Sequence, residues 1–293
     1  MNRVRSGLVV GLFFGMGIGA CDSKTRGKAS ERVRELNEIP MEQLRVMLKG
    51  YPGDWRSASE VGSGKQEPVL QKEAPQEAKR ITLQAPGLSS LGEMPVREAI
   101  AARRSARQFS EAPISLEELG YLLWATQGVT GIEKDDDGRI LRQHRAAPSA
   151  GGRYPLETYL CIQRVEGIPK GLYRYLPAEH ALLVVREDEG LLADIGAACY
   201  ESASAKGAAV IFIWSATPYR TEWKYAYLAH RMIAMEAGHV CENLYLAAES
   251  CRIGVCALLS YHQPRVDQLL GLDGRDEFAI YLACVGKAAA GDQ

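Results

Sequence analysis

The stretch 222–250 has the spacing of one long helix with apolar residues on more than one side. Tyr225, Leu228, Met232, Met235, His239 and Leu246 form one stripe, and Ile233, Ala237, Cys241 and Leu244 form another. A helix apolar on several sides must be buried on several sides. The domain that holds it has to wrap it, and any stripe left open is expected to pack on a second copy in an isologous contact. With 293 residues, 46% of them hydrophobic, the chain can build one large domain or two small ones. Its 35 Lys+Arg and 36 Asp+Glu leave a net charge of −1, with no basic excess to hold nucleic acid through counterion release. A mean hydropathy of −0.17, without a long uninterrupted apolar run, excludes a polytopic membrane protein.

The first residues read as a targeting segment. Arg3 and Arg5 precede an uncharged stretch over 6–21 that is too short, and too rich in glycine, for a stable spanning helix. It ends Ile18-Gly19-Ala20-Cys21, which resembles a bacterial lipobox with Cys21 as the lipidated first mature residue. Asp22 resembles the signal that retains such proteins at the inner membrane, so the expected location is the periplasmic side of that membrane. An uncleaved anchor or a displaced start codon are the alternatives. Residues 22–34 are polar, as a solvated tether would be. Met41, Leu44, Met47 and Leu48 predict a short amphipathic helix over 40–49, and 51–84 reads as a linker on the surface.

Pro95 opens a helix through Val96, Ala99 and Ile100 that runs into the basic segment at 103–109. Arg103, Arg104, Ser105 and Arg107 suit a phosphate, because guanidiniums give forked, charge-assisted hydrogen bonds; a merely solvated helix end is the plainer reading. Ser115 and Glu118 form a capping box for a helix ending near Gly128. In the segment RAAPSAGGRYP at 145–155, small residues and paired glycines let backbone approach a flat ligand, to which Ser149 could donate. Strand patterns follow at 157–163, 172–175, 182–186, 208–215 and 278–285. Helices around such a sheet make an α+β domain.

Other chemistries are not supported by spacing. After Cys21, the six cysteines Cys161, Cys199, Cys241, Cys251, Cys256 and Cys284 lack zinc spacing and mostly sit in apolar contexts, as buried thiols do. His230 and His239 stand nine residues apart on the long helix, off any metal pair, and no metal site is expected. The acidic loop at 133–137 reads as a turn. Trp223, Tyr219, Tyr225 and Tyr227 read either as core or as the lining of an open ligand face.

Five segments in order resemble the flavin-dependent nitroreductase family, above all its SagB/ThcOx-like dehydrogenase branch. They are RRSARQF at 103–109, RAAPSAGGRYPLETY at 145–159, WKYAYLAHRMIAMEAGHVCENLYLAA at 223–248, RIGVCALL at 252–259 and the terminal Val285-Gly286-Lys287. The resemblance implies a nitroreductase-like fold, a mixed sheet flanked by helices in a domain-swapped homodimer. With the N-terminal reading above, the expected division is a signal peptide at 1–20, a lipidated Cys with tether and linker arm over 21–92, and a nitroreductase-like FMN domain over 93–293. FMN would bind noncovalently at the subunit interface. Carried over by motif, Arg103, Arg104, Ser105 and Arg107 would hold phosphate and ring edge, and Lys287 would contact phosphate. Pro148, Ser149, Ala150 and Gly151 would line the isoalloxazine face or its N5 edge. Gly254, Val255, Cys256, Ala257 and Leu258 would approach it from the other side, and His239 would orient the helix beside it.

Two positions depart from the branch: Glu242 stands where Gln is usual, and Ala257 where Gly is common. The expected activity is hydride transfer between flavin N5 and a small conjugated substrate. It would run either as reduction of nitro or quinone compounds with NAD(P)H as donor, or as oxidation of a C–N bond with an external acceptor. A membrane-tethered, non-catalytic flavin- or ligand-binding lipoprotein is the reading of a different class.

Overall fold

The structure, a computed structural model, describes residues 39–40, 45–49, 55–84, 91–138 and 140–289. The expected signal peptide, the lipidation site Cys21 and the tether lie outside the described residues. Among the described residues, no helix is long and apolar enough to cross a membrane. The chain divides into two units, 1–49 and 50–293. In the first, a single 3-10 turn at Arg45–Leu48 stands where the spacing predicts an amphipathic helix.

The second unit is built on a seven-stranded sheet. Its strands are β1 (Arg80–Thr82), β4 (Leu156–Ile162), β5 (Gly171–Leu176), β6 (Ala181–Glu187), β7 (Val210–Ala216), β8 (Gly254–Leu258) and β9 (Phe278–Gly286), in the order β1-β6-β5-β4-β7-β9-β8. Neighbouring strands pair antiparallel. Parallel pairing enters at the rim through the bridges Ser105–Val255 and Ile114–Val165, so the sheet is mixed there. A separate hairpin joins β2 (Val129–Lys134) to β3 (Ile140–Arg145) and carries the acidic turn between them.

An antiparallel sheet with one wet face alternates apolar and polar residues, yet β4, β5 and β7 are buried at every position. Helices on both faces account for this. On one face, Leu160, Phe212, Trp214 and Val285 pack with Leu119, Leu122 and Leu123 of α2 (Leu116–Gln127) and with Ile233, Val240 and Leu244 of α6 (Ala229–Ser250). On the other, Tyr159, Cys161, Ile211, Ile213 and Cys284 pack with Leu191 and Ile195 of α3 (Leu191–Ala198), Ala205 of α4 (Ala203–Gly207), and Val266 and Leu270 of α7 (Gln263–Leu270). The period-2 alternation along β7 sends 210, 212 and 214 to the first layer and 211 and 213 to the second. All of the cysteines from Cys161 onward are free, and every one except half-buried Cys251 is buried.

Caps follow the sequence closely. Ser115 Oγ accepts from Glu118 N–H at 3.1 Å, and Glu118 Oε2 accepts from Ser115 N–H at 2.9 Å, so the capping box starts α2 as expected. The single helix expected over 222–250 is instead two. α5 (Tyr219–Tyr225) ends at Ala226, whose φ of +48° lies in the left-handed region, and α6 begins after one 3-10 turn. The break buries Trp223 and turns Tyr225 toward Gly151.

Residues 50–92 fall in the same compact unit as 93–293. β1 forms one edge of the main sheet, and the segment before it is strapped down by three buried arginines. Arg153 donates to Pro68 O at 2.7 Å, Arg145 to Leu70 O at 2.8 Å and Arg174 to Glu73 O at 2.7 Å. Lys72 N–H donates to buried Glu157 at 2.6 Å, and Arg153 also pairs with Glu67. Buried guanidiniums need acceptors, and the strap's carbonyls supply them.

Candidate flavin site

α6 carries the candidate site on two stretches of its length. Toward its C-terminal end, Tyr245 joins the first and fourth motif segments. Its hydroxyl lies 3.1 Å from Ser105 Oγ and accepts from Ala257 N–H at 2.8 Å. Ala106 N–H donates to Val255 O at 2.9 Å. Gly254 permits this approach, since a Cβ there would stand 2.7 Å from that of Ala106. Arg103 follows α1 (Val96–Ala102) and lays its guanidinium over the Tyr245 ring, 5.3 Å from the centroid. Among the described residues no carboxylate pairs with it. A stacked guanidinium keeps its edge donors directed outward, beside the Ser105 hydroxyl, and such a donor set fits a phosphate.

The other basic residues have different surroundings. Arg104 Nη1 donates to the carbonyls of Ala101, Ala102 and Arg103 at 3.1, 3.4 and 2.8 Å, capping α1. Arg107 is exposed and donates to Ser105 O at 3.4 Å. Lys287 pairs with Glu118, the capping residue of α2. Of the fourth segment, Gly254, Val255 and Cys256 are buried, while Ala257 and Leu258 are half-buried. Gly286 accommodates Phe109, whose ring would stand 3.0 Å from a Cβ there.

Nearer the N-terminal end of α6 sits the loop at 148–154. Gly151, Gly152 and Tyr154 have φ of +62°, +67° and +46°. A Cβ on Gly151 would meet Tyr225 Oη at 2.5 Å, so that position requires glycine. Tyr154 is held in its unfavourable conformation by its own hydroxyl, which donates to Gln143 O and accepts from Arg145 N–H, both at 3.0 Å. Arg145 is buried, with Gln127 and Gln143 as further acceptors at 2.9 and 3.3 Å, and its guanidinium lies 4.5 Å from the Tyr154 ring centroid. Burial lowers its pKa to about 10, with Glu157 acting in the opposite direction.

Ser149 does not aim its proton outward. Its Oγ accepts from Tyr154 N–H at 2.8 Å and donates to Glu236 Oε2 at 2.6 Å. Glu236 is 4% exposed. Burial raises its pKa to about 7 against the opposing pull of Ser149, Arg145 and Ala150 N–H. Glu236 belongs to the third motif segment but is not among the residues expected to bind the cofactor. A carboxylate set among Ile233, Ala237 and Val240 on the inward stripe was the available signal.

Among the described residues, two cavities lie near these stretches. A cavity of about 510 Å³ is lined by Arg142, His144, Pro148, Ser149, Gly151, Gly152 and Lys224 among others, and by no residue of the first or fourth segment. Another of about 300 Å³ is lined by Arg104, Ala106, Arg252 and Gly254 among others, and by no residue of the 148–154 loop. Glu236 and Tyr245, nine residues apart, are separated by about 13.5 Å along the helix axis. Along this part of α6, Met235, Gly238, His239 and Glu242 are exposed on the outer side. His239, expected to orient this helix, is exposed on the single chain.

The nitroreductase family model matches residues 100–287. A Methanocaldococcus jannaschii protein provisionally named a nitroreductase is 29% identical over 200 residues, covering 68% of this chain and 94% of that one. Among solved structures, a provisionally named nitroreductase of Ralstonia eutropha superposes with a TM-score of 0.57 at 24% identity, covering 77% of this chain and 97% of its own. A chain of the E. coli microcin synthetase complex McbBCD, solved with truncated pro-MccB17 bound, gives 0.53 at 21% identity, covering 88% and 97%. An Anabaena variabilis protein, also provisionally named a nitroreductase, gives 0.58 at 20% identity over 75% of this chain, which spans only 45% of that longer one. These structural likenesses are likenesses of fold.

Proposed function

The chain belongs to the nitroreductase family of oxidoreductases, and from that premise we propose that it binds FMN and moves hydride between flavin N5 and a small conjugated substrate. The observation that carries the cofactor assignment is Arg103, stacked on Tyr245 beside Ser105 with no acid partner among the described residues. Phosphate would take these donors, and the glycine-bearing loop at 148–152 would face the ring. Bound flavin supplies the two-electron chemistry; the protein binds it, orients it and tunes its electronics. A positive charge or an N–H near the ring's N1/O2 edge favours the anionic reduced form, and Arg107 is the residue proposed to supply it. Ala257, in place of glycine, narrows access to the ring and bears on which substrates fit.

A second copy completes the site in this reading. The 148–152 loop lines one cavity, while Arg104, Ala106 and Gly254, neighbours of the phosphate-side Arg103 and Ser105, line another, and part of the outer stripe of α6 is exposed. A two-fold contact along that stripe would bring the ring-side loop of one subunit to the phosphate side of the other. The export signal read over 1–21 would place the enzyme outside the cytoplasm, where nicotinamide cofactors are scarce. That favours a dehydrogenase or quinone-linked reaction over an NAD(P)H-driven reductase. The test is the absorption spectrum of the purified protein, with FMN titration and turnover across donor and acceptor pairs. Flavin bands and redox cycling are expected; absence of both bands and FMN uptake overturns the assignment.

A further inference from the structure

We propose that Glu236 is a positioning residue that determines, through Ser149, whether the ring-side loop offers its ligand a hydrogen-bond donor or an acceptor. The inference rests on the FMN reading above and concerns how this chain holds the ring. A serine hydroxyl has one proton and two lone pairs. In Ser149 one lone pair is taken by Tyr154 N–H at 2.8 Å, and the proton points at Glu236 Oε2, 2.6 Å away. With Glu236 ionised, only a lone pair remains to turn toward the cavity that Ser149 lines. With Glu236 protonated, the carboxyl O–H donates to Ser149 Oγ and the serine proton is released to the cavity. The change needs one hydroxyl rotation and no movement of backbone.

Both states are within reach near neutrality, because burial among apolar residues of α6 brings this carboxyl to about 7. The charged and titratable groups facing it are Arg145 from β3 and Tyr154 from the loop. Arg145, lowered only to about 10, and Tyr154, raised by burial, both keep their state through the neutral range. His239 lies one turn further along α6 and is exposed. Oxidised flavin presents acceptors along its N5/O4 edge, so oxidised FMN is expected to prefer protonated Glu236 and to take up a proton as it binds.

The experiment is FMN titration by fluorescence quenching, from about pH 5.5 to 8.5, on wild type and Glu236→Gln, with calorimetry in two buffers of different ionisation enthalpy. The glutamine amide can accept from Ala150 N–H and donate to Ser149, mimicking the protonated acid at every pH. The phosphate of FMN ionises near pH 6, but equally for both proteins, so the difference between their curves is the quantity read. The two curves should converge at low pH and diverge as pH rises, with wild type weaker by about five- to tenfold above neutrality, the worth of one hydrogen bond. Near pH 7 wild type should take up about 0.3–0.4 of a proton more than Glu236→Gln on binding, the amount a five- to tenfold preference gives for a group titrating near 7. Ser149→Ala, which retains Glu236, should bind at the weak limit without the added slope, and it keeps the test decisive where Glu236→Gln fails to fold. Parallel curves with no difference in proton uptake overturn the role of Glu236 while leaving FMN binding intact. No FMN uptake by any of the proteins at any pH overturns the proposed function instead.

Discussion

Arg103, Arg104 and Arg107 lie within five positions of one another and have three different surroundings. A motif treats them as equivalent; geometry does not. Arg103 stacks on Tyr245, Arg104 caps its own helix, and Arg107 reaches back to Ser105 O. Arg103→Ala and Arg107→Ala should each weaken FMN binding by about 1.5–3 kcal/mol, the range for hydrogen bonds to a charged group. Arg104→Ala should leave affinity unchanged, and fluorescence titration of the three variants separates them. Glu236 makes a prediction for stability as well. Its folded pKa of about 7 stands above the usual 4.5, so the native state holds a proton that the unfolded chain has released. Stability from this group is therefore greatest at low pH and is lost as pH rises from about 4.5 to 7. Urea unfolding of wild type and Glu236→Gln across that interval should show the wild-type decline absent from the variant. The spacing of 145–155 made the loop legible as a ligand approach, but not the direction of Ser149. That depends on which α6 residue lies behind it.

At the scale of elements, the sequence was most readable where the pattern is local. The strands expected at 157–163, 172–175, 182–186, 208–215 and 278–285 appear as β4, β5, β6, β7 and β9, shifted by no more than two residues at any end. The strap at 67–73 and β1 were unreadable for the opposite reason. Their residues are polar and aperiodic, and what holds them is distant: buried arginines at 145, 153 and 174 donating to strap carbonyls. A backbone acceptor leaves no mark on composition. The break at Ala226 was equally silent, having neither glycine nor proline. Beneath the strap, Glu157 is buried, receives Lys72 N–H, and pairs with Arg220 at 2.5 Å and Arg174 at 3.8 Å. Removing one partner of a buried ionic cluster strands the others without water. Glu157→Ala should thus cost about 3–5 kcal/mol, read as a lowered urea midpoint, and should expose the strap to protease. A strap cleaved no faster than in wild type would show that Glu157 does not hold it.

At the scale of the whole molecule, α6 is the element on which the proposed second copy would pack. Its inward stripe, Ile233, Ala237, Cys241 and Leu244, is buried within the chain as expected. The other stripe is only partly covered: Met232 and Leu246 are half-buried, and Met235 is 57% exposed. Val96 and Ile100 of α1 are exposed as well. A charge on the inward stripe, such as Ala237→Glu, would test only the stability of the chain itself, because Ala237 is already buried there. Met235 is the informative position, since glutamate there stays solvated in the single chain and becomes desolvated only when a partner covers it. Met235→Glu should leave the unfolding of the isolated chain nearly unchanged. It should shift the molecule from dimer to monomer in sedimentation, and FMN should be lost across the same boundary, because the phosphate-side and ring-side residues would no longer meet. The measurement is ultracentrifugation of the fragment from residue 22, with flavin absorbance followed alongside protein. A Met235→Glu monomer that keeps full FMN would show that one chain holds the cofactor alone, and would overturn the two-subunit site.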